Sequence, residues 1–144
     1  MGLKYLVYMT DKKRAENLMR LLKHADLNEV FICPTLASTI NFHKKNRVHC
    51  VIFERDLAFD FARLMQLFHD PYLWFVPVDT ARNDLDIIDA INTHHSAYYL
   101  IEPITQEEIS SMNKCLKWRI NDTARRSRLS YGEVGSQMSF SQKA

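Results

Sequence analysis

"VHCVIFERD", Val48 to Asp56, is the stretch from which the fold is read. Six residues, Val48 to Phe53, are apolar apart from His49, and three of them are β-branched. An apolar run with no polar alternation fits a strand buried on both faces, as in a parallel sheet covered by helices. It runs straight into Glu54, Arg55 and Asp56. Open α/β sheets bind ligands at the C-terminal ends of their strands, so carboxylates there are candidates for chemistry.

Four more runs of this kind occur: "KYLVYM" (4–9), "EVFIC" (29–33), "LWFVPV" (73–78) and "AYYLI" (97–101). Helical spacing falls between and after them. Ala15, Leu18, Met19 and Leu22 make one stripe, with Asp11 placed to cap it. Leu36 and Ile40 predict a helix over 36–45. Phe61, Leu64, Met65 and Phe68 follow Asp60, and Leu85, Ile88 and Ile91 mark a fourth helix. Ile109, Met112, Leu116 and Ile120 mark the fifth and longest, opened by the capping box Thr105 to Glu108. Strict β–α alternation with right-handed crossovers gives a doubly wound α/β sheet with helices on both faces.

The 144 residues suffice for one domain with a real core. We place it at 1–121, with a basic and then polar extension at 122–144. "DTARRSRL" either extends the last helix or frays from it, and "SYGEVGSQMSFSQKA" reads as a flexible tail or linker. No apolar run is long enough to span a bilayer, and no secretion signal is visible. Cys33, Cys50 and Cys115 have no paired spacing, which suits reduced thiols and a cytoplasmic setting.

Several chemistries find no support in the sequence. The three glycines, Gly2, Gly132 and Gly135, follow no strand, so a glycine loop cradling a nucleotide is excluded. His94 and His95 are adjacent, and neighbours on a helix diverge by roughly 100°. They read as basic residues at a helix C-terminus. His43, His49 and His69 lack ligand spacing. Trp74, Phe75 and Tyr98 read as strand packing. Trp118 stands outside its helix's apolar stripe, available to a partner or to the tail. Net charge is only +2, yet Lys114, Lys117, Arg119, Arg125, Arg126 and Arg128 crowd segment 114–128 against Asp122. That segment is a solvated helix end or, in an alternative reading, a contact for nucleic-acid phosphates.

Over roughly residues 3–121 the chain resembles the response-regulator receiver domain, the CheY-like phosphoacceptor fold of two-component signalling. Thr80-Ala81 after the fourth strand and "YYLIEP" (98–103) carry the resemblance. It implies a five-stranded parallel sheet of order 2-1-3-4-5. It places the switch pair on Thr80 and Tyr99 and a cis proline on Pro103. The phosphoacceptor position falls on Glu54, the strand-five lysine on Glu102, and the acidic pair after the first strand on Met9 and Thr10, or Thr10 and Asp11. In this family an Asp takes the phosphoryl group with Mg²⁺, so a chain departing at every charged position is expected to bind no Mg²⁺ and no cofactor and to use no catalytic residue. The resemblance thus implies a phosphorylation-independent pseudo-receiver working through protein contacts. Its expected surface is the fourth helix, fifth strand and fifth helix (84–121), facing an output domain, a partner or a second copy. Glu54 could stand for a phosphorylated acceptor and accept a bond from Thr80. Glu54 and Glu102 facing one pocket would raise one carboxyl pKa unless a cation such as Lys12 or Arg55 intervenes. The alternative is a working phosphoacceptor at Asp56.

Overall fold

The computed structural model describes residues 2–55, 66–68, 70–81, 84, 85, 87, 96 and 98–137, the last twelve as backbone alone. Five strands appear: β1 (Lys4–Tyr8), β2 (Glu29–Cys33), β3 (Cys50–Glu54), β4 (Trp74–Asp79) and β5 (Leu100–Ile101). They form one parallel sheet of order β2-β1-β3-β4-β5. Helices α1 (Lys12–Ala25) and α2 (Leu36–Lys45) follow the first two strands, and a C-terminal helix (Gln106–Gln137) follows the fifth.

The strand period of two sorts the core into two layers. Tyr5, Val7, Cys50, Ile52, Trp74, Val76, Val78 and Leu100 share one buried cluster with Ala15, Leu18 and Leu22 of α1 and Ile109, Met112 and Leu116 of the C-terminal helix. Leu6, Tyr8, Val51, Phe53, Phe75 and Tyr99 point the other way, onto Leu36, Ile40 and Phe42 of α2 and onto Phe68. Odd and even positions of one strand thus meet different helices. Both sets must be apolar, which is why the strands lack polar alternation.

The caps follow the sequence. Asp11 Oδ1 accepts the Arg14 N–H at 3.1 Å, and Thr35 with Ser38 closes a capping box on α2. Thr105 and Glu108 bond reciprocally, 3.2 and 3.4 Å. The Glu102–Pro103 peptide is cis.

Three expectations change. Of the two readings of "DTARRSRL" the C-terminal helix takes the extension, and it continues as helical backbone into the expected tail, to Gln137. No proline follows Pro103, and Gly132 and Gly135 cost only about 1 kcal/mol each in a helix interior. Leu85, assigned to an apolar stripe, is 79% exposed, and Ile87 packs on the second core layer instead. β5 is only two residues long, with Ser96 making an isolated bridge to Phe75. Phe61, Leu64 and Met65 of the expected third helix, with Asp60, and Ile88 and Ile91 of the fourth lie outside the described residues.

Candidate functional site

The C-terminal ends of β1, β3 and β5 meet the N-terminal turn of α1. Glu54 ends β3 and has the parity of Cys50 and Ile52, so it faces the α1 layer. Glu102 follows β5 with the parity of Leu100 and faces the same layer. Arg14, three residues past the Asp11 cap, lies in the first turn of α1. Long helical side chains lean toward the helix N-terminus, so Arg14 reaches back over the strand ends.

There it bridges both carboxylates. Its Nη1 lies 3.4 Å from Glu54 Oε2, and its Nη2 lies 2.7 Å from Glu102 Oε1. Arg14 Nε also donates to Glu102 Oε2 at 3.0 Å, so the pairing with Glu102 is bidentate. The Glu102 hydrogen bond, with the charges of Glu102, Glu54 and Asp11, raises the Arg14 pKa above its ordinary value against the opposing effect of burial. Glu54 is nearly buried, and its Oε1 accepts the Thr10 N–H at 2.8 Å and the Thr10 hydroxyl at 3.4 Å. Charge and hydrogen-bond capacity of Glu54 are therefore met from within the chain.

This rearranges the expected site. The bond from Thr80 to Glu54 does not form; Glu54 turns to Thr10 and Arg14 instead. The cation between the two glutamates is Arg14, not Lys12 or Arg55. The guanidinium lies between the two carboxylates and offsets their mutual repulsion. Of the three positions after β1, Met9 is buried in the core, Thr10 donates to Glu54, and Asp11 caps α1. Asp56 lies outside the described residues. Beside the bridge an open cleft of about 400 Å³ is lined by Met9, Arg14, Thr80, Glu102, Pro103 and Ile104, among others.

A second polar cluster sits on the other face of the sheet. Asp79 ends β4 with the parity of Phe75, and Tyr99 belongs to the same layer. The Tyr99 hydroxyl donates to Asp79 Oδ2 at 2.9 Å, and the ring is buried. Asp79 Oδ1 accepts the Thr80 N–H at 2.8 Å, which fixes the turn, while Thr80 is exposed. Asp79 was not singled out in the sequence. Its signal was its place immediately before Thr80-Ala81.

A divalent cation does not fit the strand-end site as built. Mg²⁺ needs several oxygen ligands in near-octahedral geometry, yet Glu54 and Glu102 are both taken by Arg14 and the Asp11 carboxylate is spent on a cap. Among the described residues no group of three or more His, Cys, Asp or Glu is placed to hold a metal.

Two cations of the basic segment meet the domain, and a third pairs within the segment. Lys117 pairs with Asp26, Arg125 pairs with Asp122 at 3.2 Å, and the Arg119 guanidinium lies 5.4 Å from the centre of the Trp74 ring. The side chains of Arg126 and Arg128, and His94 and His95, are outside the described residues.

Comparison with known proteins agrees with the topology. A receiver domain of a Clostridium thermocellum response regulator superposes with a TM-score of 0.66 over 85% of this chain and 97% of that one, at 20% identity. This is the receiver fold. A CheY-like receiver domain from Methylobacillus flagellatus gives 0.66 over 81% and 99%, at 18% identity. The N-terminal domain of a three-domain response regulator, sensory box and GGDEF protein of Carboxydothermus hydrogenoformans gives 0.66 over 83% and 98%, at 13%. The sequence itself matches no family model and no curated protein. Among the described residues no helix is long and apolar enough to cross a membrane.

Proposed function

We propose that this chain is a regulatory receiver module of signal transduction that works through protein contacts and without phosphorylation. The observation that supports this most is the Arg14 bridge. Glu54, at the acceptor position, is already paired with a cation and hydrogen-bonded to Thr10. A carboxylate so engaged is a poor nucleophile for a phosphoryl donor. The residue that would meet incoming phosphate from β5 is Glu102, whose charge repels it. No residue is assigned a catalytic role.

The contact surface follows the family's pattern: the face around residues 84–121, used for an output domain, a partner or a second copy. The Carboxydothermus protein joins its receiver to further domains, and a C-terminal helix extending to Gln137 supports a similar connection here. The internal engagement of Lys117 and Arg119 favours a protein partner over nucleic acid. Buried Cys33 and Cys50 suit a cytoplasmic setting.

The test is incubation with Mg²⁺ and acetyl phosphate, read by intact mass. The expected result is no phosphoryl adduct. A stable adduct lost in Asp56→Asn would establish a working acceptor at Asp56 and sink the reading. For self-association, light scattering across concentration decides: a chain that stays monomeric at high concentration rules out the second copy as partner.

A further inference from the structure

The receiver fold carries a divalent cation at the ends of β1 and β3, whereas these residues do not fit one. The geometry points to a physical reason for that disagreement. We propose that Arg14 is a resident cation. It does from within the chain what a bound metal and a strand-five lysine would do from two directions, and its presence keeps divalent cations out.

One geometric observation and the physics of paired carboxylates carry this. Two carboxylates from different strands, Glu54 of β3 and Glu102 after β5, converge on one guanidinium, with contacts of 3.4, 2.7 and 3.0 Å. Bringing two carboxylates to one small site is unfavourable without a positive charge between them. A guanidinium has donors in a fixed fork, so it serves two carboxylates at once where a lysine ammonium would act as a point charge. Glu102 also stands where a lysine would close the site. A lysine there would face Arg14, so Arg14 and Glu102 form a pair whose charges are exchanged together. Set against the family's pattern, the cation stands on α1 and a carboxylate stands after β5.

The bridge also ties α1 to β3 and β5 at the mouth of the sheet. A metal comes and goes with its concentration, but a side chain does not. The strand-end site is therefore held in one arrangement whatever the Mg²⁺ level. This deepens the phosphorylation-independent reading and rests on it only for its biological meaning.

Removal of Arg14 leaves Glu54 and Glu102 facing each other with no counter-charge, and a divalent ion becomes their natural partner. The experiment is Mn²⁺ titration of the full chain by calorimetry, wild type against Arg14→Met, which keeps an apolar stem on α1. Wild type is expected to give no saturable binding. Arg14→Met is expected to bind one Mn²⁺ saturably, because two freed carboxylates are added to the ligand set. The further change Glu54→Gln should abolish that binding. Equal affinity in wild type and Arg14→Met overturns the proposal, as does a folded Arg14→Met that binds nothing.

Should Arg14→Met not fold, the wild-type chain still decides. The Arg14 Nε–H, bonded to Glu102, is followed by ¹⁵N NMR during Mg²⁺ addition. No shift supports the proposal, and a saturable shift with loss of the bonded signal overturns it. The functional reading fails separately: a phosphoryl adduct on a wild type that binds no Mn²⁺ would sink that reading and leave Arg14 as the resident cation.

Discussion

The two ends of the sheet treat their polar residues differently. At the C-terminal ends of the strands a guanidinium joins carboxylates from two strands, Arg14 to Glu54 and Glu102, beside carboxylate bonds to the Thr10 and Thr80 N–H groups. At the N-terminal ends, polar side chains mostly serve the backbone. Asn28 accepts the Leu3 N–H at 2.8 Å and donates to the Leu22 carbonyl at 2.8 Å. His43 Nδ1 accepts the Val48 N–H at 3.1 Å, so its Nε2 is the donor toward Asp70 Oδ2 at 2.8 Å. Asp70 in turn accepts the Tyr72 N–H and the Arg47 guanidinium, each at 3.0 Å. A buried backbone group left without a partner is costly wherever it lies. The N-terminal end is therefore built for stability. Its counterpart holds charges that satisfy one another and are partly open to water, so changes there alter the site's properties more than its stability.

The largest effect is expected at the N-terminal end. His43 is buried, and its ring packs edge-on against Phe68. His43→Ala removes that packing and orphans both the Val48 N–H and one Asp70 bond. The expected loss is about 3 kcal/mol, in the range for breaking a buried hydrogen-bonded site. Urea unfolding checks it through a lowered midpoint at unchanged slope. A loss under about 1 kcal/mol would show that this end is no more structural than the other.

Arg14→Ala should cost less, about 1 kcal/mol, because the bridge is part-exposed and its partners can rehydrate. Were Arg14→Ala to cost as much as His43→Ala, the contrast between the ends would collapse. The same variant would then be a folding residue first and a resident cation second.

Sequence legibility divides along the same line. Apolar runs and caps placed four strands within one or two residues, because parallel strands covered on both faces cannot hide their composition. The resemblance put Glu54 and Glu102 in one pocket, and in the structure both keep the parity of the α1 face, Glu54 with Ile52 and Glu102 with Leu100. What parity does not supply is the helix covering that face, and hence Arg14. That requires the crossover of α1 and the lean of a side chain in its first turn. Asp79 was obscured for a different reason: an acidic residue at a strand end reads as the start of a loop until Tyr99, 20 residues on, is placed beside it. The reach of the C-terminal helix past Leu129 was missed because a composition rich in Ser, Gly and Gln weakens helix propensity without forbidding it.

The pH dependence of stability offers a smaller effect and a sharper test of the N-terminal end. The Lys117 ammonium, hydrogen-bonded to Asp26, holds the Asp26 carboxyl down to about 2, aided by the Leu27 N–H and the Asn113 amide. Asn113 passes the network on to the buried Tyr5 hydroxyl, which donates to it at 2.8 Å. A carboxyl with a depressed folded-state pKa adds stability above its unfolded value, near 4, and loses it as pH falls toward the folded value. Wild type should therefore lose more Tm than Asp26→Asn between pH 4 and about 2. Parallel curves would mean that Lys117 does not hold Asp26 in solution.

The smallest stability effect is expected at Trp118. It stands on the outer face of the C-terminal helix and is 64% exposed, while Leu116 and Ile120 on the same turn face the core. Nothing in the core depends on its ring, so Trp118→Ala should shift the unfolding free energy by less than about 0.5 kcal/mol. Arg119 next to it provides the control. Its guanidinium lies over the Trp74 ring, so Arg119→Ala should destabilise by about 1 kcal/mol through that contact. A Trp118→Ala cost equal to that of Arg119→Ala would place Trp118 in the folded domain's own packing and remove it from the surface free to meet a partner. A neutral Trp118→Ala that also leaves self-association unchanged would move the contact surface away from this turn, toward β5.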